Sequence, residues 1–122
     1  MDNYTSIDQS KRLLELGLDS ETADMMYVQH QPEPVIKNDC FAIEFDTPCW
    51  SVGALLDLMP VSIAVGNQSC GDDTTWICKF MEPGSNGISV DKESKRLVEV
   101  CYNMVCYLLE NNFLQNNYIK TE

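Results

Sequence analysis

The chain has 122 residues, 44% of them apolar, and carries nineteen acidic against eight basic residues, a net charge of −11. That length fits one domain able to bury roughly two thirds of its unfolded surface, and the apolar share excludes a disordered chain. A field of this sign repels nucleic acid and anionic membranes and is drawn to basic surfaces.

The acidic excess is uneven. Residues 1–46 hold ten acids and three bases, 47–83 four and one, and 84–122 five and four. The opening MDNYTSIDQSKRLLELGL lacks the basic and apolar regions of an export signal. The longest apolar stretch, near Val52–Met59, contains Asp57 and is too short to span a bilayer. The expectation is a cytoplasmic protein with no membrane contact. In that compartment Cys40, Cys49, Cys70, Cys78, Cys101 and Cys106 are expected as free thiols. No C-x-x-C occurs, which argues against a zinc ribbon or a thioredoxin-type pair.

Ser6 and Gln9 have capping-box spacing and open a helix whose Ile7, Leu14 and Leu18 fall near one face. Gly17 is placed to end that helix. Asp19 or Ser20 is expected to cap a second short helix through Met25 or Met26. The stretch 29–38 (QHQPEPVIKN) reads as a loop, and Cys40–Phe45 as a short strand. Thr47-Pro48 is a helix-start signal, with Ser51 as an alternative N-cap. The helix that follows, Val52–Met59, sets Val52, Leu55, Leu56 and Met59 on one side and Leu58 on the other, and Pro60 stops it. Val61, Ile63 and Val65 alternate, a turn-rich segment spans Gly66–Thr75, and Trp76, Cys78 and Phe80 alternate again. Together they predict a β-hairpin with a long acidic tip at Asp72-Asp73.

After a Gly/Pro loop at Glu82–Ser89, Asp91 is expected to cap the longest helix, from Lys92 or Glu93 to about Asn112. Its apolar arc is Leu97, Val98, Cys101, Met104, Val105, Leu108 and Leu109, with Glu99, Asn103 and Glu110 opposite and Cys106 on the polar face. The expected fold class is α+β. It is one small domain over 1–122, with helices at both ends and a central helix packed on a short antiparallel hairpin or sheet. Loops are expected near 29–39 and 82–90, and a ragged tail at 115–122.

No catalytic constellation emerges. His30 is the only histidine and lies between two glutamines before a proline, a setting for a solvated loop rather than a triad. Glu82, Asn86, Gly87 and Glu93 fall where an EF-hand loop places its first, fifth, sixth and twelfth residues. Gly84 and Ser89 break the pattern, so a connecting loop is the better reading. The glycines match neither phosphate-binding motif. Asp57, on an otherwise apolar helix, is the one carboxylate with a claim to an unusual environment, and an exposed helix edge explains it more simply. Trp50 and Trp76 suit core or rim packing better than a binding platform. Cys106 has nothing basic beside it on that helix face and reads as an inert surface thiol, or one buried by a partner subunit, rather than a nucleophile. No cofactor and no metal are expected.

Three blocks stand out: SIDQSKRLLELGLDSETADMMY, PCWSVGALLDLMP and LVEVCYNMVCYLLENNFL, in this order around a Trp-bearing hairpin. In combination they resemble short uncharacterised proteins of phages, prophages and mobile elements of gut Bacteroidetes, from Ser6 to about Leu114. The resemblance implies an intracellular protein of a mobile-element setting and carries no catalytic residue.

The functional expectation is a non-enzymatic acidic protein that binds another protein, with a basic surface as the candidate partner. Glu15, Asp19, Glu21 and Asp24 are the candidate interaction surface. The alternatives are a nucleic-acid mimic that inhibits a DNA-binding or defence protein, and an enzyme of unrecognised class using Asp57, Cys49 or a Trp-lined surface.

Overall fold

Helix α1 (Ile7–Glu15) opens on the expected reciprocal pair: the Gln9 N–H donates to Ser6 Oγ at 3.1 Å, and the Ser6 N–H to Gln9 Oε1 at 2.9 Å. The computed structural model describes residues 3–28, 33–36, 47–60, 63–71, 73–81 and 89–119. The expected strand Cys40–Phe45, His30, Val61, Asp72 and most of the loop 82–89 lie outside them.

Gly17 ends α1 at φ 101°, a left-handed conformation that side chains rarely adopt. Its N–H donates to the Leu14 carbonyl and the Leu18 N–H to the Leu13 carbonyl, while Leu13 and Leu18 are both fully buried. This is a Schellman cap with its hydrophobic closure. The buried face differs from expectation. Ser10 and Leu13 turn inward, Leu14 is half-buried and Ile7 is 44% exposed. The cause is polar, because the Ser10 hydroxyl hydrogen-bonds the buried Thr5 hydroxyl at 2.7 Å and so rotates the helix onto that side.

The expected second helix is a single 3-10 turn at Ser20–Thr22, capped by Asp19. The chain then extends into strand β1 (Met25–Tyr27), which lies between β2 (Val35–Ile36) and β3 (Thr47–Cys49) in an antiparallel sheet of order β2-β1-β3. Tertiary pairing overrides the local cap signal here, and Met26 goes into the core. Strand β2 falls inside the segment expected as loop. Thr47-Pro48 is likewise strand rather than helix start; Pro48 faces Met26 on a sheet edge, where a missing N–H is tolerated.

Ser51 is therefore the N-cap of helix α2 (Val52–Leu58), its Oγ accepting from the Ala54 N–H at 3.2 Å. Ala54, Leu55 and Leu58 are buried, whereas Leu56 is 39% exposed. Leu55 and Leu58, three apart, form the face presented to the core, so the expected sidedness of Leu56 and Leu58 is reversed.

Strands β4 (Ile63–Cys70) and β5 (Asp73–Met81) make the expected hairpin, with Gly71 at φ 64° in the turn. It is longer than expected, since Gly66–Cys70 continues the strand. Cys78 and Phe80 are buried and Trp76 half-buried, but Val65, on the same face, stays 37% exposed. Strand β6 (Ser89–Ser94) completes the antiparallel sheet β4-β5-β6. Asp91 thus lies in a strand opposite Lys79 and not at the start of a helix. Lys92 and Glu93, good helix formers, are captured by the β5 edge instead.

Helix α3 runs Leu97–Glu110, after Arg96 as N-cap without a side-chain cap bond. The arc Val98, Cys101, Met104, Val105, Leu108 and Leu109 is buried and Leu97 half-buried, as expected; Val100, outside that arc, is buried too. A second Schellman cap closes it. Asn112 takes φ 61° and the Phe113 N–H reaches the Leu108 carbonyl at 2.9 Å. Helix α3 packs on α2, β5 and β6, and one cluster joins Leu13, Trp50, Leu55, Phe80 and Leu108. Beyond it, Asn116–Tyr118 forms a 3-10 turn and Ile119 bridges Leu18, so the end expected to be ragged is held up to that residue. The molecule is a small α+β fold with helices and two antiparallel three-stranded sheets among its described residues. None of those helices is long and apolar enough to cross a membrane.

Candidate functional site

A buried polar seam fixes the geometry of the acidic region. The Thr5 N–H donates to the Trp50 carbonyl at 2.9 Å, and the Trp50 N–H donates back to Thr5 Oγ1 at 3.1 Å. The Tyr27 hydroxyl and the Cys49 thiol both donate to the Thr5 carbonyl, at 2.7 and 3.3 Å. Trp50, fully buried, donates its indole N–H to Thr22 Oγ1 at 2.8 Å, and that hydroxyl donates to the Asp19 carbonyl at 2.6 Å. Buried polar groups must be satisfied in this way, and the chain of bonds holds the 19–24 segment against the start of α2.

Of the four carboxylates singled out, Asp19, Glu21 and Asp24 share this segment. Asp19 Oδ1 accepts from the Glu21 N–H at 3.0 Å and caps the 3-10 turn. Asp24 accepts from the Ser51 N–H at 2.9 Å and from the Ser51 hydroxyl. Glu15 belongs to another neighbourhood. Arg12 reaches it at 3.6 Å and reaches Glu110 of α3 at 3.6 Å with its other terminal nitrogen.

The structure adds a fifth carboxylate. Asp57, exposed on α2, lines a groove of about 330 Å³ with Asp24, Thr22 and Tyr118. Two carboxylates from distant segments, one held by two hydrogen bonds, with a phenol and a hydroxyl beside them, suit a cation, whether ammonium or guanidinium. The sequence separates Asp24 from Asp57 and gives no sign that Tyr118 completes the groove.

The thiols point away from nucleophilic chemistry. Burial pushes Cys49 up from 9.0 to about 11, against the lowering effect of hydrogen bonds from the Thr5 and Tyr27 side chains. Burial likewise raises Cys78 to about 12, with Cys101 adding to it, and Cys101 to about 11. Cys106 lies on the polar face with Asn103 and Glu110, as expected, and is half-buried there in a recess with Lys92 and Tyr107. Folding does bring Lys92 and Arg12 close enough to favour its thiolate, as does a hydrogen bond with Tyr102, yet burial dominates and the thiol is raised. Trp76 packs at the core margin. Among the described residues no group of three or more His, Cys, Asp or Glu could hold a metal ion.

Compared with protein-family models, with curated proteins and with solved structures, the chain finds no match.

Proposed function

We propose that the protein works in the cytoplasm as a non-enzymatic binding protein that takes up a basic segment of another protein at the Asp24–Asp57 groove. The observation that carries this is the convergence of Asp24 and Asp57 on one groove beside Tyr118, in a chain of net charge −11. The Ser51 bonds to Asp24 fix one carboxylate before any partner arrives, which reduces the ordering cost of binding. Glu21, exposed on the adjoining turn, extends the same field. Raised thiol values at Cys49, Cys78 and Cys101 support a binding role over covalent catalysis. The mobile-element setting implied by the three sequence blocks belongs to the same proposal.

The test is affinity capture from host lysate with mass spectrometry, repeated with Asp57→Lys and across a salt series. The expected partner binds through a Lys/Arg-rich surface, weakens steeply with salt because exposed charges are screened within about 8–10 Å, and is lost with Asp57→Lys. Capture that neither salt nor the substitution weakens would refute the groove as its site.

A further inference from the structure

The groove between Asp24 and Asp57 is walled by three segments, and they are anchored unequally. Helix α2 supplies Gly53 and Asp57 and is held by the buried Leu55. The 19–24 segment supplies Thr22 and Asp24, the first tied to the fully buried Trp50 and the second to Ser51. The third wall is Tyr118, on the 3-10 turn Asn116–Tyr118. Leu114 is buried, but beyond it Gln115 and Asn117 are exposed, and Tyr118 and Ile119 are half-buried.

A seam to the exit of α1 holds this turn down. Leu18 bridges Ile119, the Asp19 N–H donates to the Tyr118 carbonyl at 2.8 Å, and Ile119 Cγ2 lies 3.8 Å from where a Cβ on Gly17 would stand. Segments with half-exposed side chains and marginal backbone bonds open far more readily than a core does. The other two walls leave only by exposing Trp50 or unwinding α2, whereas this one detaches at its own seam. With the turn docked the groove stays open, at about 330 Å³, so Tyr118 borders it without plugging it.

We infer that the 116–119 turn is a latch on the groove: docked, it presents Tyr118 to a bound cationic side chain, and released, it leaves the two carboxylates without their aromatic wall. This rests on the reading of the groove as the binding site. A phenol ring beside carboxylates adds cation–π attraction to that of opposite charge. A ligand that touches Tyr118 therefore prefers the docked form. The preference acts both ways, so binding fastens the turn and releasing the turn weakens binding by the same factor. Ile119, which does not line the groove, governs its occupancy through the seam.

Hydrogen exchange of the Asp19 amide reads the latch directly, because the Tyr118 carbonyl is its acceptor. In the full chain it should exchange faster than the α3 amides of Met104 and Leu108, which open only with the core. A saturating hexa-arginine peptide should slow it by about fivefold or more. Ile119→Asn should release the turn, bring the Asp19 amide close to the rate of an unprotected one, and weaken the peptide by about fivefold or more although residue 119 lies outside the groove. Tyr118→Leu should weaken the peptide while the Asp19 amide stays protected. The wild-type exchange needs no variant, so it decides the matter even if Ile119→Asn fails to fold. Three results would overturn the latch: an Asp19 amide as slow as those of α3, an Asp19 rate that saturating peptide leaves unchanged, or a released Ile119→Asn that binds as tightly as the wild type. Peptide binding that Asp57→Lys leaves intact, or no binding at all, would remove the groove itself and the latch with it.

Discussion

Asp24 accepts hydrogen bonds from both the backbone N–H and the hydroxyl of Ser51, while the Ser51 hydroxyl oxygen in turn accepts from the Ala54 N–H. One carboxylate thus supports the N-cap of α2 from a segment twenty-seven positions earlier. Asp24→Ala is expected to cost about 1–2 kcal/mol, in the range of a charged hydrogen bond and a lost cap. Asp57→Ala, at an exposed position of α2, should stay within about 0.5 kcal/mol. Urea denaturation of both variants checks the contrast. Equal effects would mean that Asp24 contributes only charge.

Thr5 is fully buried, and its hydroxyl meets Ser10 at 2.7 Å and the Trp50 N–H at 3.1 Å. Thr5→Val keeps the shape and removes the oxygen, stranding a buried N–H at a cost of about 1–3 kcal/mol. Thr5→Ser should lose less than Thr5→Val although it is smaller. If the order reverses, packing rather than the hydrogen bonds sets the value of this site.

Leu108 is fully buried in α3 within the cluster that joins helices and hairpin. Truncation to alanine should cost about 2–5 kcal/mol through lost transfer energy and a residual cavity. Truncating the partly exposed Leu56 should cost much less. Thermal and denaturant unfolding of the pair measures the difference.

Alkaline stability follows from the thiols. Cys49, Cys78 and Cys101 have folded values of about 11, 12 and 11 against an ordinary 9.0, so the folded state holds their protons longer than the unfolded chain does. The stability from that difference is whole below pH 9 and is lost as pH rises through the folded values. Each unit of difference corresponds to about 1.4 kcal/mol. Denaturation between pH 8 and 11 should therefore show falling stability. Cys101→Ala should start lower at pH 8 yet fall less steeply. An unchanged slope would show that the thiol does not contribute to it.

The elements legible in the sequence are those whose signals are local. The Ser6–Gln9 box, Gly17 beyond the end of α1 and the Leu97–Leu109 arc each depend on neighbours within a turn or two, and each stands where expected. What the sequence conceals depends on distant partners. Asp19–Met26 carries a cap signal but is drawn out by pairing between β2 and β3. Lys92 and Glu93 favour a helix by propensity but join a strand because β5 offers an edge. The same holds for the candidate site. Asp24 and Asp57 each drew notice, but their meeting depends on the Trp50–Thr22 bond and on Tyr118, which no motif announces.

The bridge between Leu18 and Ile119 orders events during synthesis. The Asp19 N–H also donates to the Tyr118 carbonyl at 2.8 Å, so the exit of α1 is completed by residues made about a hundred positions later. Closing so long a span costs chain entropy that only late contacts repay. During synthesis α1 and its Gly17 cap are complete long before residues 116–119 are made. The Asp19 N–H then waits for its acceptor, the Tyr118 carbonyl. Final docking of this end is a separate late step, and a chaperone or protease that reads exposed backbone has its opportunity there.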